Sequence, residues 1–386
     1  MRYYFICALM LLMSCTAHDD NTTYNTSVFS TREYTSLNTK EVSPYSRCVR
    51  YYKDAKDVEW LFYEHNLTNE LIIFSLNDGE IKKRLKFERS GPDGIGSILG
   101  CFVHNIDSIF LCSTTYYRNI FLTDTTGQIK KKYKLNRIND KSKLEPHTNG
   151  FLTYDRMEAL IEDDILGFFS YSMKYNSNNE KLSKENIFYR YDLKNEAVIE
   201  AVKYPELDIS DKCDLTGYTS AFTKSGHMLI SFWQDNNIYE YIPQVMKYIK
   251  HGCKSRYQKS SLTERNGNQY TMEESMANSI TTCSYEQFVY DEYRNVYYRF
   301  FYPGIEINEN DDIKYLRENP EVFSIMVLDD AFNVIGETMM PKNAYSYHMT
   351  YITEDGLFIS LHPKHPKYDP DNLKFEKLIL KRIDND

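Results

Sequence analysis

Basic residues never gather into a block in this chain. Lys and Arg number 46 against 55 Asp and Glu, and the formal charge is −9 at pH 7. A nucleic-acid partner is therefore not expected, because phosphate recognition needs a clustered positive footprint. The same mild acidity argues against a protein held to anionic lipid by charge alone. Long apolar runs are scarce too. The stretch from Phe5 to Met13, behind Arg2, is far too short to span a bilayer, which takes about 20 residues, and no later stretch is apolar enough. Cysteine is sparse, eight in 386 residues, which fits poorly with a disulfide scaffold. A domain this long buries enough core without staples. Helical apolar periodicity is missing over any comparable length, and only Met272 to Ile280 reads as a short helix. Gly91, Gly94 and Gly96 lack the Lys and Ser/Thr of a phosphate loop, and no helix follows them. With no Ser nucleophile elbow and no Cys/His pair, the sequence nominates no catalytic residue and calls for no cofactor.

The apolar run ends at Leu12-Met13-Ser14-Cys15. An apolar residue, a small residue before the cut and then a cysteine resemble a bacterial lipobox, in which Cys15 carries the lipid anchor. Met13 is bulkier than the residue usual at its place. This reading divides the chain into a signal peptide (1–14), a lipidated Cys15 with its tether (15–45), and one domain (46–386). Thr16 to Thr39 is polar and rich in Asn, Ser and Thr, as a tether requires. Val28-Phe29 and Tyr34 nevertheless suit a strand, and Thr26 to Leu37 is expected to close the last repeat as an edge strand. The acidic pair Asp19-Asp20 resembles the export signal of some Bacteroidota lipoproteins. The expected location is the outer membrane, facing either the cell surface or the periplasm.

What the chain holds in quantity is aromatics, 34 Tyr and 21 Phe. Tyr suits a half-buried strand, ring packed and hydroxyl wet. A stacking surface for sugars or peptides is the other use of so many rings. Short strands recur in units, most plainly as Ile98 to Asn105, Ser108 to Ser113, Asn119 to Asp124 and Ile129 to Leu135. The cadence returns at Val58 to Phe87, Asp164 to Tyr204, His227 to Ile242, Val296 to Met340 and Leu357 to Lys381. Asp78-Gly79 and Thr126-Gly127 mark hairpin turns. The fold expected is all-β, a six-bladed β-propeller of four-stranded antiparallel blades, with a pair of multi-sheet sandwiches as the alternative. Counting back from a two-residue turn at Ile106-Asp107 sets Cys101 directly opposite Cys112, as unbonded neighbours on one blade.

Four motifs carry a resemblance. They are Gly91-Pro92-Asp93-Gly94-Ile95-Gly96, Tyr290-Asp291-Glu292-Tyr293-Arg294-Asn295 running into Tyr297 to Phe300, Phe332-Asn333-Val334-Ile335-Gly336-Glu337, and Glu354-Asp355-Gly356-Leu357. In this order, from the lipobox to the last strand, the chain resembles the Bacteroidota lipoprotein family built on domain of unknown function 4221. The resemblance implies a propeller-like domain and an envelope location. It brings no established activity and no catalytic residues.

In a four-stranded meander, the connection from second to third strand lies on the same face as the crossing to the next blade. That face carries the long loops Met173 to Lys184, Pro303 to Pro320 and His362 to Asn372, and displayed loops are where binding concentrates. The candidate ligand contacts are Tyr116, Tyr117 and Arg118, Trp233 as a stacking ring, and His362 with His365. The two imidazoles flank Pro363-Lys364 in a loop, a spacing unlike that of a zinc helix, so no metal is expected. Trp233 also suits plain packing between blades. The function expected is a non-catalytic binding or scaffold module of the envelope, with a glycan, a peptide or an envelope protein as partner. A polysaccharide-active glycosidase or lyase on the same scaffold is the alternative.

Overall fold

A computed structural model describes residues 24–39, 42–43, 45–115, 119–135, 157–170, 183–206, 217–259, 262 and 271–383. The lipobox, Cys15 and the Tyr116-Tyr117-Arg118 cluster lie outside the described residues, as does most of the 173–184 loop.

The described chain begins with a long strand, β1 (Thr26–Asn38). A first antiparallel meander follows, β2 (Val49–Lys53), β3 (Glu59–His65), β4 (Glu70–Ser75) and β5 (Ile81–Lys86). The second is β6 (Ile98–Asn105), β7 (Ser108–Ser113), β8 (Asn119–Thr123) and β9 (Ile129–Lys134). The third is β10 (Ala159–Glu162), β11 (Ile165–Phe169), β12 (Asn186–Asp192) and β13 (Ala197–Lys203). The fourth is β14 (Tyr218–Phe222), β15 (Met228–Phe232), β16 (Asn237–Ile242) and β17 (Lys247–Gly252). Helix α1 (Met272–Thr281) then leads into β18 (Ser284–Asp291) and β19 (Val296–Tyr302). Helix α2 (Ile313–Glu318) precedes β20 (Ser324–Leu328) and β21 (Val334–Met339). The chain finishes with β22 (Tyr345–Thr353), β23 (Gly356–Leu361) and β24 (Asn372–Arg382).

The last seven strands and β1 form a single eight-stranded sheet, in the order β18-β19-β20-β21-β1-β24-β23-β22. The expected count of six separate blades is corrected accordingly. Four blades stand as separate sheets, and one continuous eight-stranded sheet fills the rest of the propeller. The cause is β1. It pairs antiparallel with β24 from Thr26↔Arg382 to Asn38↔Asn372, and it meets β21 in parallel at Thr26↔Gly336. A β-carbon on Gly336 would fall 2.0 Å from the Thr26 carbonyl oxygen, so only glycine lets the two strands approach this closely. At its other end β1 crosses the β4–β5 hairpin. There Asn38 N donates to the Gly79 carbonyl at 2.9 Å, and a β-carbon on Gly79 would lie 2.2 Å from the Ser36 carbonyl oxygen.

The core lies between sheets. Phe62, Ile73 and Leu85 of the first meet Cys101, Ile109 and Leu111 of the second. Cys112, Ile120 and Tyr133 meet Leu166, Phe168 and Tyr191 of the third. Phe169 and Phe188 meet Tyr218, Ile230 and Phe232 of the fourth. Leu229 and Ile238 meet Tyr285, Phe288 and Phe301 of the eight-stranded sheet. Tyr298, Phe300 and Val327 pack on Tyr347, Leu357 and Ile359 within that sheet. Leu37, Met349 and Phe358 return to Leu61, Tyr63 and Phe74 of the first. Apolar burial thus runs all the way round the ring, and every sheet face shares in it.

The register expected for β6 and β7 is also corrected. Asn105 pairs with Ser108, but an irregularity between Val103 and Asn105 offsets the strands by one residue. Cys101 therefore pairs with Leu111, and Gly100 with Cys112. Because side chains alternate across a strand, a one-residue slip sends the two cysteines to opposite faces. Cys101 packs toward the first sheet and Cys112 toward the third.

The motifs behind the family resemblance hold the hairpins and crossings. Asn69 donates from Nδ2 to the carbonyls of Phe87 and Gly96 at 2.8 and 2.9 Å, and its Oδ1 accepts from Ile98 N at 2.8 Å, so the Gly91–Gly96 crossing is a structural turn. Arg294 donates to Asp291 Oδ2 at 2.8 Å and to the Thr353 and Glu354 carbonyls, tying the β18–β19 hairpin to the β22–β23 hairpin.

Candidate functional site

A cavity of about 670 Å³ opens on the face that carries the second-to-third strand connections. That volume is in the range of small-molecule sites, about 300–1,000 Å³. Its walls come from the inner strands β18 and β22, the segment leading into β2, the β15–β16 and β19–β20 connections, and helix α1.

The helix wall is fixed at both ends. Thr271 and Glu274 form a reciprocal capping box, Thr271 N donating to Glu274 Oε2 at 2.7 Å and Glu274 N to Thr271 Oγ1 at 3.2 Å. At the far end the Ile280 carbonyl accepts from Tyr302 OH at 2.8 Å and from Ile305 N at 3.0 Å. Helix α2 starts at Asp312, whose carboxylate accepts from Tyr315 N at 2.9 Å.

Trp233 sits just past β15 and lines the cavity. Its ring lies over Gly217, where an added β-carbon would meet the indole at 2.1 Å. Its carbonyl accepts from Tyr285 N at 2.8 Å. The residue remains 37% exposed and stands in the cavity wall. The loop after it is gripped by Arg299 of β19, itself fully buried. Arg299 donates to the carbonyls of Asp235 (2.6 Å), Asn236 (2.9 Å), Asn237 (3.2 Å) and Cys253 (2.9 Å) and to Ser231 Oγ (2.9 Å). Its guanidinium also lies 3.5 Å from the centroid of the Tyr285 ring. A buried charge is tolerated there because all of this donor fork is met by carbonyls and a hydroxyl.

The inner strands contribute polar groups. Gln287 of β18 is 2% exposed, and its Oε1 is sealed from solvent with no hydrogen-bond partner among the described residues. His348 of β22 lies between Tyr45 and Tyr347, with ring centroids 5.6 and 4.4 Å away, and its Nε2 is sealed from solvent with no partner among the described residues. Burial, with the Arg47 guanidinium nearby, pushes the His348 imidazole down to about 3, so it is neutral at physiological pH. Glu286 and Arg47 supply one charge of each sign on the same lining, and Ser284 Oγ donates to Glu286 Oε1.

Of the ligand contacts nominated from sequence, Trp233 reaches this cavity. His362 and His365 are not among its described lining residues. His362 is fully buried. Its Nε2–H donates to the Asn319 carbonyl at 3.3 Å, and its Nδ1 accepts from Lys364 N at 3.0 Å. Both ring nitrogens are thus spent on holding the β19–β20 and β23–β24 connections together. His365 Nδ1 accepts from Lys367 N at 3.0 Å in a local turn. Among the described residues no cluster of three or more His, Cys, Asp or Glu is placed to hold a metal. Gln287, His348, Glu286, Tyr45 and Arg47 were not nominated from sequence. The signal available was a Glu-Gln pair and a His inside otherwise aromatic strands.

Comparison with known proteins fits this architecture. The crystal structure of a member of the domain of unknown function 4221 family from Bacteroides vulgatus superposes with a TM-score of 0.79 at 21% identity, covering 93% of this chain and 99% of that one. A Bacteroides fragilis protein, named provisionally as an exported protein, superposes with a TM-score of 0.53 at 11% identity, covering 95% of this chain and 98% of that one. Among curated proteins there is no match. The profile of domain of unknown function 4221 matches residues 24–339, so the chain belongs to that family.

Proposed function

We propose that this protein is an exported, lipid-anchored binding module of the bacterial envelope, whose ligand seats in the cavity on the long-loop face of the propeller. The observation that carries the binding half is a cavity of about 670 Å³ on the long-loop face, with a partly exposed Trp233 and several polar side chains in its wall. A pocket of this size, walled by an aromatic ring and a few polar groups, is the usual form of a ligand site. The envelope half rests on the lipobox at Cys15. The provisional name of the Bacteroides fragilis neighbour points the same way. Among the described residues no helix is long and apolar enough to cross a membrane. The Cys15 acyl chains then anchor the protein to the outer membrane, on either its surface or its periplasmic side.

The test has two parts. In the native host, Cys15→Ser is expected to release the protein from the membrane fraction, and full retention of the variant contradicts lipid anchoring. The purified full chain is then incubated with envelope and dietary polysaccharides, following both retention and release of reducing ends. Retention without new reducing ends supports a binding module. Time-dependent release of reducing ends or unsaturated products makes the protein a glycosidase or lyase instead.

A further inference from the structure

Two cysteine sulfurs meet where the first sheet abuts the second. Cys48 lies just before β2, and Cys101 lies in β6, 53 residues further on. Their Sγ atoms are 3.7 Å apart, so no atom stands between them. Both side chains are fully buried, in one apolar cluster with Phe62, Leu71, Ile95 and Ile109.

Each backbone is held by bonds that do not involve the other cysteine. Cys48 N donates to Ser46 Oγ at 3.1 Å, and the Cys48 carbonyl accepts from Ser46 Oγ and from Glu64 N, both at 3.0 Å. Cys101 pairs with Leu111 in the second sheet, and its carbonyl accepts from Arg50 Nε at 3.3 Å. Across the seam, Cys101 N donates to Cys48 Sγ at 3.2 Å. The sulfur contact is therefore imposed by the frame. Cys112 faces the third sheet, and Cys253 Sγ donates to the Phe332 carbonyl at 3.4 Å, so neither competes for this place. Bridged sulfurs lie about 2.05 Å apart, so each sulfur has to move by under about 1 Å. An oxidising compartment favours that bond, whereas a reducing one keeps such a pair as thiols.

Resting on the envelope location proposed above, we infer that Cys48 and Cys101 are joined by a disulfide in the exported protein, a staple between the first and second sheets. Tyr45 and Arg47, which line the cavity, immediately precede Cys48, so the bond also pins that wall. It forms during folding, before packing seals the sulfurs. The oxidant is the disulfide of an envelope thiol oxidoreductase. One cysteine thiolate attacks that disulfide and gives a mixed disulfide. The second thiolate then attacks the sulfur of the first, forming the new S–S bond and expelling the donor's thiolate. Two electrons and, through solvent, two protons pass to the donor, which leaves as a dithiol.

The test is peptide mapping of the protein isolated from its native host, with thiols blocked by N-ethylmaleimide in denaturant at lysis. A peptide pair joining Cys48 to Cys101 is expected in most molecules and is lost on reduction. Dithiothreitol should cut the bond at least about tenfold more slowly in the folded protein than in urea, because access limits exchange. Melting of the oxidised chain should exceed that of the same chain kept reduced by about 3–8 °C. If the reduced chain does not refold, the map alone decides. Cys48 and Cys101 both recovered as alkylated peptides from membrane-fraction protein overturn the disulfide and leave the envelope location standing. The same result from protein found in the cytosol overturns both. Cys101 joined to another cysteine overturns the pairing. Equal melting with the bond present overturns its role as a staple, and equal reduction rates with and without urea overturn its burial.

Discussion

The Sγ atoms of Cys48 and Cys101 lie 3.7 Å apart, across the seam between the first and second sheets. Cys101 N also donates to Cys48 Sγ at 3.2 Å. Contact with Cys48, together with burial, holds the Cys101 thiol well above the usual thiol range, so it stays protonated and slow to react in the folded protein. Copper–phenanthroline oxidation during refolding is expected to couple Cys48 to Cys101, as read by non-reducing peptide mapping. Cys48→Ser should leave Cys101 as a free thiol. Recovery of a Cys101–Cys112 peptide instead would contradict the register of β6 and β7.

The two glycines at the ends of β1 are expected to be unusually intolerant. Gly336→Ala places a methyl group against the Thr26 carbonyl, and that backbone oxygen cannot swing aside. A loss of about 1–3 kcal/mol is expected, as for other overpacked sites. It should come with faster hydrogen exchange in residues 25–30. Gly79→Ala meets the Ser36 carbonyl and carries a positive φ of 72° besides, so its loss should be at least as large. Unchanged melting of both variants would show that β1 does not clamp the ring.

Arg299 predicts a link between core and site. Arg299→Met keeps the bulk of the side chain but strips donors from the carbonyls of Asp235, Asn236, Asn237 and Cys253. A destabilisation of about 3 kcal/mol or more is expected from several bare buried acceptors. The surviving folded fraction should bind ligand poorly, since the loop after Trp233 has lost its anchor. Urea unfolding followed by calorimetry separates the two effects. Stability near that of the unmodified protein would mean that water replaces the guanidinium.

Stability should fall on mild acidification. The His348 imidazole titrates at about 3 in the folded protein against an ordinary 6.5, so between those values the unfolded chain binds a proton that the folded chain refuses. Unfolding free energy therefore decreases as pH drops from about 6.5 toward 3, with a slope of at most about 1.4 kcal/mol per pH unit from this one group. Burial lowers His362 in the same direction. Asp124, held at about 2 by Lys130 and Thr126, also loses its contribution in acid, but only below its ordinary 3.8. Glu70 and Glu321, lowered from an ordinary 4.5, begin to add to the loss nearer that value, so the imidazoles own the window above about pH 5.5. Urea midpoints measured from pH 7 to 4 should decline, and His348→Gln should flatten the decline. A midpoint independent of pH in that window would contradict the buried neutral ring.

The sequence made most of the outer strands legible and hid most of the inner ones, β6 excepted. Ile98–Asn105 and Ser108–Ser113 have the bounds expected, because strong β-formers there end at clear turn residues. The strands that were not anticipated are mostly inner ones: β2, β10, β14, β18 and β22. Ser284–Asp291 and Tyr345–Thr353 set Glu286, Gln287 and His348 among aromatics, a mixture that departs from simple alternation because each strand is irregular there, between Tyr285 and Gln287 and between Ser346 and Thr350. The same property that obscured these strands placed the cavity's polar groups on them. Helix α1 was visible from its apolar spacing, whereas α2, a six-residue turn capped by Asp312, read as loop. The joining of β21 to β1 through Thr26 and Gly336 could not be read, since a single parallel pair leaves no periodic trace. The backbone partners of His362 and His365 could not be read, because a His-rich loop looks the same in sequence whether its nitrogens meet a ligand or its own backbone.

A crystal structure of the full chain, grown with an oligosaccharide of the best-retained polysaccharide, tests the central claim most directly. The account predicts the ligand in the cavity on the long-loop face, within about 4 Å of the Trp233 ring, an ordinary packing separation. A ligand bound elsewhere, with the cavity empty, would contradict it.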